Sequence, residues 1–433
     1  MIRRFAVATL LALPAMGLAD SFAITGARVH TVGPQGTLDD ATVVVEDGRI
    51  VAVGRDVDVP AGARQIDGSG KIVTPGLFSA IGNLGVTEVN AVDGTVDYVQ
   101  RGDDFTASFD VADAYNPRST LIPINRIEGV TRAAILPASS GRPDELGNTS
   151  NVISGLGAVV RLAGIDAVTR RRAVLVVNLG ESGGRLAGGS RAAALLSLRN
   201  AFDDAIDYAA HRDDYASGNR RDYSLSLPDL EALADVFDRR VPLLAYADRA
   251  SDIRVLLALA GDYELPLIVA GGAEAWLLAD ELAAANAGVV LSSVNNLPGS
   301  FDELNARLDA PVLLETAGVR VSFGMNRNMQ DHNARNITQA AGIAVANGMT
   351  WEAGLRSITL TPAELFGVAA TTGSIAAGKD ADLVLWPDDP LELTSYPEQV
   401  WIRGEAVPMQ SRQTLLRDRY LDAGSAVPPA YRR

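Results

Sequence analysis

Three histidines, two lysines and no cysteine are all that this chain offers for imidazole, amine and thiol chemistry. Without cysteine, thiolate zinc sites, cysteine nucleophiles and disulfides are excluded together. His332 is the histidine best placed to react. It follows Asp331 in MQDHNARN, where the two side chains could act as a lone acid or base. His30 lies in a strand-like run and reads as structural or surface, and His211, in the helical YAAHRDDY, reads as a solvated helix residue. Ser79 and Ser322 have no histidine and carboxylate partners in sequence, and no G-x-S-x-G elbow occurs. The glycine pairs of GRLAGGSR and AGGAEA could cradle phosphate at helix starts. Tight strand-to-helix turns explain them better, and SGLGAVV lacks the third glycine of a dinucleotide fingerprint. The adhesion-type tripeptide Arg101-Gly102-Asp103 is a chance match, and the TRRR run at 169–172 reads as a solvated face.

Two kinds of segment must position such residues. Residues 20–72 read as short strands and turns, with Asp47-Gly48 as a hairpin turn inside ATVVVEDGRIVAVG and an Asp67-Gly68 turn before KIVTPG. From residue 73 to 368, apolar strand-like runs (GVTRAAILPA, AVLVVNLG, VPLLAYA, LPLIVAGG, GVVLSS, GVRVSFG) alternate with amphipathic stretches such as LPDLEALADVFDRR. About eight such units fit a closed (β/α)8 TIM-like barrel of the α/β class better than an open sheet. A β pattern returns over 369–410, so both terminal segments are expected to join in one small composite β-sandwich beside the barrel, with 411–433 as a C-terminal tail. Residues 87–128, rich in Asp, Asn and Thr, are expected to loop over the barrel mouth.

Residues 1–19 join Arg3 and Arg4 to a short apolar run ending in Gly17-Leu18-Ala19, the pattern of a signal peptide cleaved near Ala19. The expectation is a periplasmic or secreted protein with no membrane anchor after cleavage. Cleavage removes two arginines and no acid, taking the net charge from −15 to −17, which argues against nucleic acid as a partner.

Three stretches together resemble the amidohydrolase superfamily of the imidazolonepropionase-like or dihydroorotase-like kind. They are VVVEDGRIVAVG through IDGSGKIVTPGL, YADRASDI with AGGAEAWLLADEL, and ITLTPAELFGVAATTGSIAAGKDADLVLW. The resemblance implies a metal-dependent (β/α)8 barrel with a composite β-sandwich, hydrolysing amides, cyclic amides or dipeptides. It also implies where the metal ligands belong, and at those places this chain carries other residues. In VTPGLFSAIGNLGV the two slots of an H-x-H pair hold Ile81 and Asn83. Two further histidine positions near the ends of the fifth and sixth strands hold Tyr246 and Gly271, and the aspartate position after the last strand holds Asn326. Isoleucine and glycine supply no donor atom, and a neutral amide is a poor zinc ligand and no general base. The family's bridging carboxylated lysine has no counterpart, since Lys71 and Lys379 both lie outside the barrel strands, although Glu181 could take a glutamate's part.

The alignment gathers Asn83, Tyr246, Asp248, Arg249, Asn326, Arg327 and Asn328 at the strand ends as a set of ligand-pocket candidates. Two readings follow. The first is a non-catalytic homologue, expected to need no cofactor, that binds a small amide or peptide-like ligand or pairs as a homo-oligomer or with an active amidohydrolase. The second is a hydrolase of C–N bonds with a remodelled site, either on one zinc-like divalent metal held by carboxylates such as Glu181 and Asp248, or metal-free around Asp331 and His332.

Overall fold

The computed structural model describes residues 21–102, 104–140, 151–292, 298–325 and 333–421. The alternating runs at the two ends of the chain join in one eight-stranded sheet, a path of seven strands with an eighth paired beside it, the composite β-sandwich. Phe22–His30 lies in its middle, antiparallel to Thr37–Glu46 and parallel to both Arg64–Asp67 and Ile72–Pro75. Thr37–Glu46 turns into Arg49–Gly54 at Asp47 and Gly48. Both have positive φ (51° and 74°), as a two-residue type I′ hairpin requires. The returning strand Leu383–Trp386 pairs antiparallel with Ile72–Pro75, and Gln399–Ile402 and Glu405–Ala406 extend the sheet beyond it. Phe22, Ile24, Val43, Val45, Leu383 and Trp401 fill a separate core in which the Phe22 and Trp401 rings stack at 5.4 Å.

The second sheet is the barrel. Its strands, in chain order, are β1 (Leu77–Gly82), β2 (Val130–Ile135), β3 (Ile153–Arg161), β4 (Val168–Asn178), β5 (Leu243–Ala247), β6 (Leu267–Gly271), β7 (Gly288–Leu291) and β8 (Arg320–Phe323). They pair in sequence order. The ring closes where Gly324, just past β8, meets the end of β1: a β-carbon on Gly324 would lie 3.0 Å from Cβ of Ile81. One strand departs from the expected all-parallel pattern. β3 runs antiparallel to both β2 and β4; toward β4, residues 162–167 are too few for the crossover of a dozen or more residues that parallel neighbours need. SGLGAVV lies inside β3 and is a barrel strand rather than a phosphate-binding turn.

Side-chain alternation sends Val174 and Val176 of β4, Leu244 and Tyr246 of β5, and Ile268 and Ala270 of β6 to one interior cluster. Leu365 and Phe366, at the end of the helix Leu360–Leu365, close its N-terminal end, with the Phe366 ring stacked on Phe78 of β1 at 5.9 Å. The opposite end, where the strands' C-termini lie, is open.

Sandwich and barrel are joined through Arg132 of β2. Its Nε donates to Asp382 at 2.7 Å and Nη2 to Asp380 at 2.6 Å, with the guanidinium 2 % exposed. Asp382 also accepts the Arg403 N–H and the Thr372 hydroxyl. Only part of 87–128 lies at the mouth. Around residue 106 the segment is tied to the outer helix Leu227–Arg239, whose Asp229 accepts the N–H groups of Thr106 and Ser108 and the Ser108 hydroxyl. Among the described residues no helix is long and apolar enough to cross a membrane.

Candidate functional site

The open end of the barrel carries two cavities, and one residue lines both. The first, of about 580 Å³, is lined by Ile81 on β1, Glu181, Ser182 and Arg185 after β4, Tyr246 and Asp248 at the end of β5, Gly271 and Ala273 after β6, and the 299–311 segment that follows β7. The second, of about 940 Å³, is lined by Asn83, by Asn90, Asp93 and 96–101 from the long segment after β1, and by Leu136–Ser140 after β2. Tyr246 is the shared wall. All these segments follow strand C-termini, where this architecture places its ligands.

β1 separates its two critical residues between the chambers. Its register shifts between Ser79 and Gly82, where three steps on β1 match two on β2. The resulting bulge turns Ile81 into the interior cluster, against Gly324 and beside Val290. Asn83, 2 % exposed, lies in the second chamber instead.

Gly271 has φ of +93°, and Gly272 follows at +65°, so AGGAEA is a left-handed turn that a side chain would strain. The space a side chain at 271 would need is taken: its β-carbon would lie 2.5 Å from the Asp248 Oδ1. Asp248 in turn accepts the Ala273 N–H at 3.3 Å, so the carboxylate is tied to this turn.

The remaining candidates divide. Arg249 lines neither chamber and pairs with Asp252 at 3.2 Å, on a network in which Arg191 bridges Asp252 and Asp302. Glu181 lines the first chamber, paired with Arg185 at 2.7 Å one helical turn on. Asn326, Arg327, Asn328, Asp331 and His332 lie outside the described residues. His30 sits in the sandwich with Nδ1 2.9 Å from the Thr37 hydroxyl, and His211 caps the helix Arg191–Ala210 with Nδ1 2.9 Å from the Asp207 carbonyl. The hydroxyls of Ser79 and Ser322 donate to the carbonyls of Ile81 and Ser357 and are structural. The TRRR arginines are half-exposed but tied down: Arg171 pairs with Asp110 and Asp113, and Arg172 with Asp235.

Several mouth residues escape sequence reasoning. Arg101, met there only as part of a chance tripeptide, lines the second chamber and pairs with Asp93 at 2.8 Å. The hydrogen bond to that carboxylate raises the guanidinium pKa. Ser139 lines the same chamber and is held from behind by buried polar groups. Its hydroxyl is 2.9 Å from that of Ser154, to which the Asn178 amide donates at 2.8 Å from the last position of β4. Asp302 and Glu303 come from the segment after β7. The only signal for any of these is their place just beyond a strand's C-terminus.

Residues 265–407 match the Amidohydrolase family. Over 394 residues the chain is 25 % identical to the amidohydrolase tasK of Hapsidospora irregularis, covering 84 % of this chain and 39 % of that protein, so it spans well under half of that relative's length. It is 26 % identical over 407 residues to an imidazolonepropionase of Brucella anthropi, covering 86 % of this chain and 94 % of that one. Together these likenesses support the amidohydrolase superfamily for this chain. Among solved structures, an amidohydrolase from Thermotoga maritima superposes with a TM-score of 0.79 at 24 % identity, over 90 % of this chain and all of that one. A putative prolidase from Bifidobacterium longum superposes at 0.54 with 19 % identity, over 93 % and 100 %. At these identities the structural likeness speaks for the fold alone.

The described residues at the positions that the sequence resemblance assigns to metal ligands are of types that do not suit a metal. Ile81 presents hydrocarbon, Gly271 presents nothing and Asn83 a neutral amide, while Tyr246 is a phenol built into the wall between the chambers. Among the described residues no three of His, Asp and Glu gather in a metal-holding group.

Proposed function

We propose that this amidohydrolase-superfamily chain is an exported binding protein that holds a small amide or peptide-like ligand at the barrel mouth without metal catalysis, alone or in association with an active barrel protein. The observation that carries this reading is the refilling of the ligand positions. Ile81 is packed against Gly324, and the Asp248 carboxylate occupies the space beside Gly271, so the positions are rebuilt and not merely emptied. What remains is a polar mouth of donors and acceptors backed by an apolar barrel interior, which suits recognition of amide groups. The first residues, with their signal-peptide pattern, support export.

The second reading, hydrolysis of C–N bonds, draws its support from the relatives, whose names are those of hydrolases. Fold-level kinship does not carry activity, which depends on the site. Elemental analysis of the purified mature protein, combined with hydrolysis assays on a panel of N-acyl amino acids, dipeptides and cyclic amides, separates the two. The binding reading expects substoichiometric zinc, manganese and iron after dialysis and no turnover above a heat-denatured control. Stoichiometric metal that survives dialysis, with turnover lost on its removal, sinks it.

A further inference from the structure

The helix Arg412–Leu421, near the end of the chain, has no buried residue. At ten residues it is shorter than helices that hold in water by themselves, and most protein helices owe their stability to a packed apolar face. Its own copy covers no such face. The Ser411 hydroxyl accepts the Thr414 N–H and the Arg335 guanidinium donates to the Gln413 side chain, both at 3.3 Å, and these contacts fasten only its first turn. One side, at the i, i+3, i+4, i+7 and i+8 positions, carries Arg412, Leu415, Leu416, Arg419 and Tyr420, all exposed. Leu415 is 55 % exposed and Tyr420 60 %. Arg417 and Asp418, on the other side, answer each other at 2.7 Å, whereas neither Arg412 nor Arg419 pairs with a carboxylate among the described residues.

Charge and pattern say what fits this face. Residues 412–433 carry five arginines and two aspartates, while residues 21–411 carry 31 basic and 50 acidic side chains. A helix that lies on a lipid surface keeps its basic residues on the polar side, away from the apolar one. Here the two guanidiniums are interleaved with the leucines, which suits a surface where carboxylates stand among apolar groups. The segment 388–396, after the sandwich strand Leu383–Trp386, is such a surface, and no basic residue occurs between Lys379 and Arg403. Leu393 and Tyr396 are 66 % and 62 % exposed, and Asp388 and Glu392 pair with no arginine or lysine among the described residues. The segment is fixed before any partner arrives. Asp389 accepts the Trp351 indole N–H at 2.9 Å, the Ser395 hydroxyl donates to the Asp388 carbonyl at 3.2 Å, and Leu391 is buried.

We infer that two copies of this chain associate about a two-fold axis, the helix Arg412–Leu421 of each seated on the 388–396 segment of the other. Leu415, Leu416 and Tyr420 meet Leu393 and Tyr396, and Arg412 and Arg419 meet Asp388 and Glu392. A two-fold interface uses the same surfaces on both copies, so the contact is made twice and closes. The association does not depend on the ligand proposed for the barrel mouth.

Sedimentation equilibrium of the mature protein at about 0.05 and about 0.5 M sodium chloride tests this. The parent is expected to be a dimer whose Kd rises at least about tenfold at the higher salt, because exposed ion pairs are screened. Arg412→Glu with Arg419→Glu, and Asp388→Arg with Glu392→Arg, should each give a monomer. Mixed in equal amounts, these two monomeric variants should combine into a heterodimer, since each reversed surface then meets its opposite. Leu415→Ser with Leu416→Ser and Tyr420→Ser should also give a monomer. Melting curves identify any variant that has unfolded, and the two charge variants, which alter only exposed side chains, decide the matter in that case. A parent that stays monomeric at about 0.1 mM, a dimer unmoved by either charge variant or by the serine variant, or two monomeric variants that fail to combine when mixed, each overturns the inference. Flotation of the parent with phosphatidylglycerol vesicles, without self-association, assigns the helix to anionic lipid and overturns it as well.

Discussion

The Asp248 carboxylate stands 2.5 Å from the point where a β-carbon on Gly271 would lie, so the turn after β6 and the residue after β5 fit only as a pair. Gly271→Ala should therefore cost about 2 kcal/mol, from a left-handed φ and a contact too short to keep. Asp248→Ala in the same chain should recover part of that loss by removing the contact, while the cost of φ remains. Chemical denaturation of both single variants and the double variant measures the coupling. Strict additivity would show that the two residues do not share the space.

Arg132 leads to a second expectation. Its guanidinium is buried between Asp380 and Asp382, and removing it strands two carboxylates at the seam of barrel and sandwich. Arg132→Met should cost about 3–5 kcal/mol. Arg132→Lys should rescue it only in part, since an ammonium cannot reproduce a fork that donates from Nε to one carboxylate and from Nη2 to another. Urea melts at low and at 0.5 M salt distinguish this from a surface pair: a buried contribution should barely change with salt.

Chelation should not touch stability. A metal bound only by the folded state raises the melting temperature in proportion to its binding free energy, and stripping it lowers that temperature again. The mature protein is expected to melt within 1–2 °C of the same temperature with and without a strong chelator, a margin set by how finely about 1 kcal/mol is resolved for a chain of this size. A chelator-induced fall well beyond that, reversed by added zinc, would contradict the metal-free reading.

Acid should weaken the sandwich through His30. Burial lowers the imidazole pKa below 6.5, with Arg28 adding to the effect, and the ring packs 4.2 Å from that of Trp351. Because the folded pKa lies below the unfolded one, the unfolded chain takes up more protons as the pH falls below about 6.5. The stabilisation is full above that pH and declines toward the folded pKa. Between pH 7.5 and 5.5 the parent should lose about 1–2 °C more in Tm than His30→Gln does. Parallel losses would show that His30 contributes nothing to the acid response.

The sequence reveals the frame better than the mouth, for physical reasons. Tyr246 and Gly271 could be placed on the fifth and sixth strands because short continuous apolar runs, bounded by turn residues, leave a strong local pattern. The Asp47-Gly48 hairpin could be read because both residues tolerate positive φ. The antiparallel course of β3 was also within reach, since a six-residue link cannot carry a parallel crossover, but SGLGAVV drew attention as a glycine motif first. The separation of Ile81 from Asn83 was not legible, because a bulge depends on how β1 registers against β2 and leaves no composition of its own. Nor was the role of Arg101, whose partner Asp93 and chamber neighbours Asn83 and Ser139 come from three different segments. Arg249 lines neither chamber for a related reason: at the start of a helix it pairs with Asp252, three residues on.

The Trp386 indole donates to the Thr74 hydroxyl across 312 positions of sequence, and the strands that carry these residues are neighbours in the sandwich. A chain emerging from the ribosome must therefore hold Ile72–Pro75 with one bare edge while the whole barrel is being made. The sandwich is thus completed only after the barrel, although its first strand is made before any strand of the barrel. A nascent chain halted before residue 383 should remain a client for chaperones, and only the closing of that edge by Leu383–Trp386 ends its exposure.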